Sequence, residues 1–118
     1  MTDGSQAPWP DNRLVITGCL ADDPHTRVSP GGIPVSRFTI GHVSEQPEGS
    51  GRRHVGCRVR VHARGAALQS VIGKLRAGSP VRVFGYLGPA GYRSDQQRLV
   101  VVARRIQLVP NSETQGVE

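Results

Sequence analysis

Residues 53–63 read Arg53-His54-Val55-Gly56-Cys57-Arg58-Val59-Arg60-Val61-His62-Ala63, and this stretch decides what kind of structure to expect. Val55, Cys57, Val59 and Val61 point one way, and Gly56, Arg58, Arg60 and His62 point the other, which is the period of two that a strand imposes. Such a strand is buried on one side and basic on its exposed side. Directly after it the period changes. Leu68, Val71, Ile72 and Leu75 fall at i, i+3, i+4 and i+7, one apolar stripe on a helix within 64–75, and Gly78-Ser79-Pro80 stops it.

Working outward in both directions, further strands are expected. Within 12–20, Leu14, Ile16 and Gly18 alternate with Arg13, Val15 and Thr17. A long loop is expected over 21–34, which holds Pro24, Pro30 and the Gly31-Gly32 doublet. Residues 35–43 read as a strand with Phe38 and Ile40 on one face and Arg37 and Thr39 on the other. The stretch 44–52 has no large apolar residue, so it reads as a mobile loop that no core can hold. After the helix come a strand over 81–87, a loop over 88–97 and a strand over 98–109. In that last strand the apolar set shifts from Leu99, Val101 and Ala103 to Ile106 and Leu108, which predicts a bulge or bend near Arg104.

The order is β-β-β-α-β-β, and Val outnumbers Leu by 15 to 7, in keeping with short strands joined by turns. This is the layout of an all-β oligonucleotide/oligosaccharide-binding (OB) fold: a five-stranded Greek-key barrel with one short helix between strands three and four. That fold binds its ligand across strands two and three and the loops joining strands one to two and four to five. At 118 residues one domain is expected. Residues 12–109 would form it, between flexible tails at 1–11 and 110–118.

The formal charge of +6 conceals a stronger asymmetry. All 15 Lys and Arg, but only five of the nine Asp and Glu, lie within 12–109. The central segment is therefore +10 and each tail −2. A domain this basic matches a polyanion, with nucleic acid ahead of an anionic membrane surface. The competing account is codon bias towards Arg, since 14 of the 15 bases are Arg. The longest apolar run, Leu99-Val100-Val101-Val102-Ala103, is far below the roughly 20 residues of a membrane span. The N-terminus lacks the basic start and apolar stretch of a secretory signal. Two cysteines do not make a disulfide scaffold, so a reducing, cytoplasmic location is expected.

Catalytic patterns are missing. Asp22-Asp23 is the only adjacent carboxylate pair and precedes a Pro, where a turn or cap role is commoner. There is no Gly-Lys-Ser/Thr phosphate loop, no nucleophile elbow and no His-x-x-x-His pair, and Ser29 sits in a Ser-Pro-Gly-Gly turn. Cys19, His42, His54 and Cys57 are the candidate metal ligands. Strand periodicity separates His54 from Cys57, so no metal site is expected and both thiols read as buried or half-buried. The reading is of a binder with no catalytic residue, no cofactor and no small-molecule substrate.

Four segments resemble a known family. Asn12-Arg13-Leu14-Val15, Val28-Ser29-Pro30-Gly31-Gly32-Ile33-Pro34, Phe38 with His42, and Ala103-Arg104-Arg105-Ile106-Gln107-Leu108 are similar to the primosomal replication protein N (PriB) family, bacterial relatives of single-stranded DNA-binding protein. The likeness spans about residues 12–109. It implies a homodimer of OB folds, without catalysis, that binds single-stranded DNA and the PriA helicase and recruits DnaT, so that the replicative helicase is reloaded at stalled forks. Carried over by position, the family's basic DNA-contacting residues fall on Arg27, Arg53, Arg93 and Arg98. Its aromatic positions fall on Gly51 and Gly56, which is the main departure.

The residues themselves add Arg58 and Arg60, which form a stripe with His62; a solvated strand face is the bland alternative. Arg52 and Arg53 adjoin the polar stretch as a candidate clamp. Tyr92 with Arg93 is a candidate for stacking plus phosphate contact, whereas Phe84 and Tyr86 read as core or dimer-contact residues. The expected DNA-binding set is thus Arg27, Arg52, Arg53, Arg58, Arg60, Tyr92, Arg93 and Arg98, holding its ligand mostly by charge. A general single-stranded DNA coat protein and a protein–protein adaptor with little DNA affinity are the alternatives.

Overall fold

Strands form where β-branched residues concentrate: β1 Leu14–Leu20, β2 His25–Val28, β3 Pro34–Glu48, β4 Gly51–Arg64, β5 Pro80–Pro89 and β6 Leu99–Leu108. This computed structural model describes residues 10–91 and 98–110. Tyr92 and Arg93, and most of the two expected tails, lie outside the described residues. Between β4 and β5 a 3-10 turn, Ala66–Leu68, runs into the one-turn helix α1, Gln69–Ile72.

The sheet closes on itself. β1 pairs with β5, β5 with β6, β6 runs parallel to β4, and β4 pairs with β3. β3 then returns to β1 through Cys19 opposite Gly41 and Leu20 opposite Ile40. Five strands make this cycle, and β2 lies outside it on the edge of β3. The result is the OB barrel, with the helix between the third and fourth strands of the closed ring.

The barrel interior is filled by Phe38 and Ile40 from β3, Val61 and Ala63 from β4, Val81 and Val83 from β5, and Val101, Ala103 and Ile106 from β6. Apart from the one Phe these are small or branched residues, as a narrow barrel requires. Ile72 and Leu75 pack onto this core and are buried. Ser36 is the buried polar residue. It is satisfied by Thr26 Oγ1 at 2.7 Å and by Gln69 Nε2, which donates to its Oγ at 3.0 Å.

Two glycines allow backbones to cross at close range. A Cβ on Gly18 would overlap the Gly41 carbonyl oxygen, and a Cβ on Gly85 would overlap that of Val102. At Gly85 the β5–β6 register also shifts. Phe84 faces Arg105 and Gly85 faces Ala103, leaving Arg104 as the extra residue of a bulge, where the changing apolar pattern placed one.

Five expectations need correction. The loop over 21–34 contains β2, whose four residues are all exposed and so carry no hydrophobic alternation; its ladder with β3 holds it. Residues 44–52 are not a loop. β3 and β4 stay paired out to Glu48 opposite Gly51, and the turn is Gly49-Ser50, with φ +59° at Gly49. Backbone ladder bonds hold this polar arm without a core, helped by Arg53 with Glu48 at 2.7 Å and His54 with Glu45 at 2.9 Å. The helix is shorter than its apolar stripe, and Leu75 reaches the core from the turn after Gly73. Of the two readings of Phe84 and Tyr86, core is excluded, because Val81, Val83 and Gly85 take the inward positions of β5, and the dimer-contact reading is left untouched. Cys19 and Cys57 are both exposed free thiols. Cys19 faces outward from β1, and Cys57 lies on the arm beyond the reach of the barrel core. No helix among the described residues is long and apolar enough to cross a membrane.

Candidate nucleic-acid interface

Because Ser36, Phe38 and Ile40 point into the barrel from β3, and Val59, Val61 and Ala63 from β4, the alternate positions must face out. Those positions are Arg37, Thr39 and Gly41 on β3 and Arg58, Arg60 and His62 on β4. The register sets Arg37 beside His62, Thr39 beside Arg60 and Gly41 beside Arg58. Arg60 Nη1 donates to Thr39 Oγ1 at 3.2 Å, which steadies one guanidinium on the sheet. β2 extends the same face, with His25 opposite Arg37 and Arg27 opposite Val35. His25, Thr26, Arg27, Arg37 and Arg60 line an open groove of about 430 Å³.

The charges of this face are not neutralised by other described residues. Among the described residues no carboxylate lies within ion-pair distance of Arg27, Arg37, Arg58 or Arg60. The described acids are engaged elsewhere. Asp22 Oδ1 accepts the Thr39 N–H at 3.2 Å and Asp23 Oδ1 accepts the Ala77 N–H at 2.7 Å, the capping role their sequence setting suggested. Asp11 lies by Arg13, and Glu45 and Glu48 sit on the arm. His62 registers the local field: burial first, then Arg37 and Arg60, push its pKa below the ordinary 6.5.

The structure brings Arg27, Arg58 and Arg60 onto one face and adds Arg37. In sequence Arg37 is legible only as an outward residue of its strand; the β3–β4 register is what places it next to His62. Arg52 shares the outward parity of Arg58 and Arg60 but lies at the arm's tip, about 20 Å further along β4 at strand rise. Arg53 has the opposite parity and is paired with Glu48. Arg98 is exposed at the entrance to β6, and Tyr92 and Arg93 lie outside the described residues. Gly56 faces outward two residues beyond Arg58 towards the arm, with nothing within 4 Å of a Cβ placed there, so that position is open backbone. Among the described residues no group of three or more His, Cys, Asp or Glu could hold a metal ion.

A closed Greek-key barrel with a basic outer face on its second and third ring strands defines the class of oligonucleotide-binding barrels. A family model described as "another single-strand binding protein family" matches residues 12–104, and the chain belongs to that family. Among curated proteins it is similar to the replication restart protein PriB of Proteus mirabilis, at 36% identity over 102 residues, covering 86% of this chain and 97% of the relative. PriB of Photorhabdus laumondii is 34% identical over the same length, with the same coverage. Among solved structures, PriB from Ralstonia solanacearum superimposes with a TM-score of 0.71 at 20% identity, covering 85% of this chain and 99% of that one. The single-stranded DNA binding protein from Thermus aquaticus gives 0.71 at 23% identity, covering 86% of this chain and 52% of that one. These two likenesses are of fold.

Proposed function

We propose that this chain is a single-stranded DNA-binding accessory protein of bacterial replication restart, working in the cytoplasm at stalled forks and binding without catalysis. The observation that carries the reading is the set of arginines on the ligand face of an OB barrel that have no carboxylate partner among the described residues. Arg27, Arg37, Arg58 and Arg60 would neutralise successive phosphates, with Arg52 and Arg98 extending the path and Arg93 and Tyr92 adding contacts from the sequence that precedes β6. The working module in this proposal is 12–109.

The partners that complete the proposal are the PriA helicase and DnaT, with the protein as a bridge between them and the strand. A homodimer is also proposed. Its support is the edge of β1: Leu14 to Cys19 pair with β5, but only Cys19 and Leu20 pair with β3. Much of the other edge of β1 therefore lacks a ladder, the exposed Val15 stands beside it, and His42 Nδ1 meets the Thr17 carbonyl at 2.7 Å. One observation favours the adaptor alternative, the absence of side chains at Gly51 and Gly56, which removes stacking worth about 1–3 kcal/mol per base.

Fluorescence anisotropy of a labelled single strand, with and without PriA, tests the proposal. A ternary complex with slower rotation than either binary complex is expected. Mutual displacement would reject the bridge, and no binding in low salt would reject the DNA reading.

The field at His62 adds a pH dependence. Phosphate placed between Arg37 and Arg60 offsets their repulsion of the imidazolium, so the His62 pKa rises on binding and a proton is taken up. Proton uptake means that affinity increases as pH falls, and the window lies around and below the ordinary 6.5. Lowering the pH from about 7.5 to about 5.5 should therefore strengthen binding more in the native chain than in His62→Gln. Equal pH profiles would remove phosphate from this position.

A further inference from the structure

Across the barrel from β3 lies a second basic surface that the reading above does not use. The Arg105 guanidinium lies over the Phe84 ring, 5.0 Å from its centroid, and that of Arg104 over the Tyr86 ring at 5.3 Å. Both rings are half-buried and both arginines exposed. In a regular strand two consecutive residues point to opposite faces. The bulge at Arg104 lifts this restriction, so both guanidinium groups stand on the outer face. Beside them Arg13 and Arg104 rim a groove of about 390 Å³ whose floor includes Leu14, Val15 and Phe84.

This surface is continuous with the first. His25 pairs with Arg37, Arg37 with His62, His62 with Val102, and Val102 with Tyr86. These paired residues form one lateral row crossing β2, β3, β4, β6 and β5 on the outside of the barrel. Nothing anionic among the described residues interrupts it. Among the described residues, the acid by this second surface is Asp11, 3.8 Å from Arg13, and no carboxylate pairs with Arg104 or Arg105.

We infer that a single strand held on β3 and β4 continues across β6 onto β5, its phosphates on Arg104 and Arg105 and its bases on the Arg104–Tyr86 and Arg105–Phe84 pairs. A guanidinium held over an aromatic ring is restricted in orientation and can meet a base while donating to phosphate. The residues that sequence reasoning found wanting for stacking are thus supplied from a different face. The proposed dimer places a second copy of the chain on the free edge of β1, which leaves the Arg104 and Arg105 surface of β5 and β6 to the strand. The inference rests on the proposed DNA reading, and the test separates the two.

The experiment measures nucleotides covered per protomer on poly(dT), and the salt dependence of affinity for strands of about 6 and about 30 nucleotides, below and above much of the 4–16-nucleotide range of OB folds. Arg104→Gln with Arg105→Gln should cover fewer nucleotides. It should lower the salt slope on the long strand by about 1.4, at about 0.7 per phosphate contact, and leave the short strand unaffected. Arg104→Lys with Arg105→Lys should restore the slope. Either single Gln variant, expected to lose about 0.7, serves if the pair does not fold. Unchanged coverage and slope in folded Gln variants would overturn the inference. So would intact strand binding at both lengths with loss of binding to a synthetic acidic peptide. If Arg37→Gln with Arg60→Gln leaves short-strand affinity unchanged, the primary face itself is wrong.

Discussion

Replacing Arg37 and Arg60 together with Gln lowers affinity for a short single strand by roughly a hundredfold to a thousandfold in low salt. Each guanidinium contact with phosphate is a charge-assisted hydrogen bond, worth about 1.5–3 kcal/mol. Two such losses, reduced by solvent screening at an exposed face, come to about 3–4 kcal/mol. The two side chains flank His62 and have no carboxylate to fall back on among the described residues, so their removal subtracts ligand contacts and leaves no broken ion pair. Anisotropy titrations read the loss directly. Arg53→Gln is the internal contrast: its charge is paired with Glu48 and its parity faces away from Arg60, so its effect should stay within about threefold. Equal effects from Arg53→Gln and the double variant would contradict the placement of the face.

Gly85→Ala should destabilise the barrel by about 3 kcal/mol or more, lowering the melting temperature by about 12 °C or more for a domain of this size. The new methyl would overlap the Val102 carbonyl and crowd Ala103. These are backbone atoms on the facing strand, so no rotamer change can relieve the contact. The strain falls where Gly85 pairs Ala103 beside the Arg104 bulge, and relief means unpicking β5 from β6. Gly56→Ala is the matching control, because nothing lies within 4 Å of its Cβ; a change within about 0.5 kcal/mol is expected there. Calorimetry of the two variants decides the matter. Similar melting temperatures would refute the close crossing at Gly85.

The contrast between Gly85 and Gly56 also explains what could be read from the sequence. The ring strands were legible because burial on one face writes an alternation into residues such as Phe38, Ile40, Val59 and Val61. The bulge was legible because it breaks that alternation between Ala103 and Ile106. β2 was illegible for the same reason: His25, Thr26, Arg27 and Val28 are all exposed, and a strand held only by its ladder leaves no hydrophobic signature. The polar arm through Glu48 and Gly51 was misread as a loop on the same ground. Strand β5 carries apolar residues on both faces, so Phe84 and Tyr86 could not be told from core until Val81, Val83 and Gly85 were seen to occupy the inside. At the candidate site, Arg58 and Arg60 were found from periodicity, and Arg27 from resemblance. Arg37 joined them only through cross-strand register, a property of two segments together.

The account rests on a ligand held chiefly by charge, and the dependence of single-strand affinity on salt tests this most directly. With about four phosphates neutralised on the β3–β4 face, the logarithm of the binding constant should fall against the logarithm of salt concentration with a slope of roughly −3. Affinity would then drop roughly fiftyfold between about 50 and about 200 mM salt. A slope near zero, with binding intact at the higher salt, would contradict it.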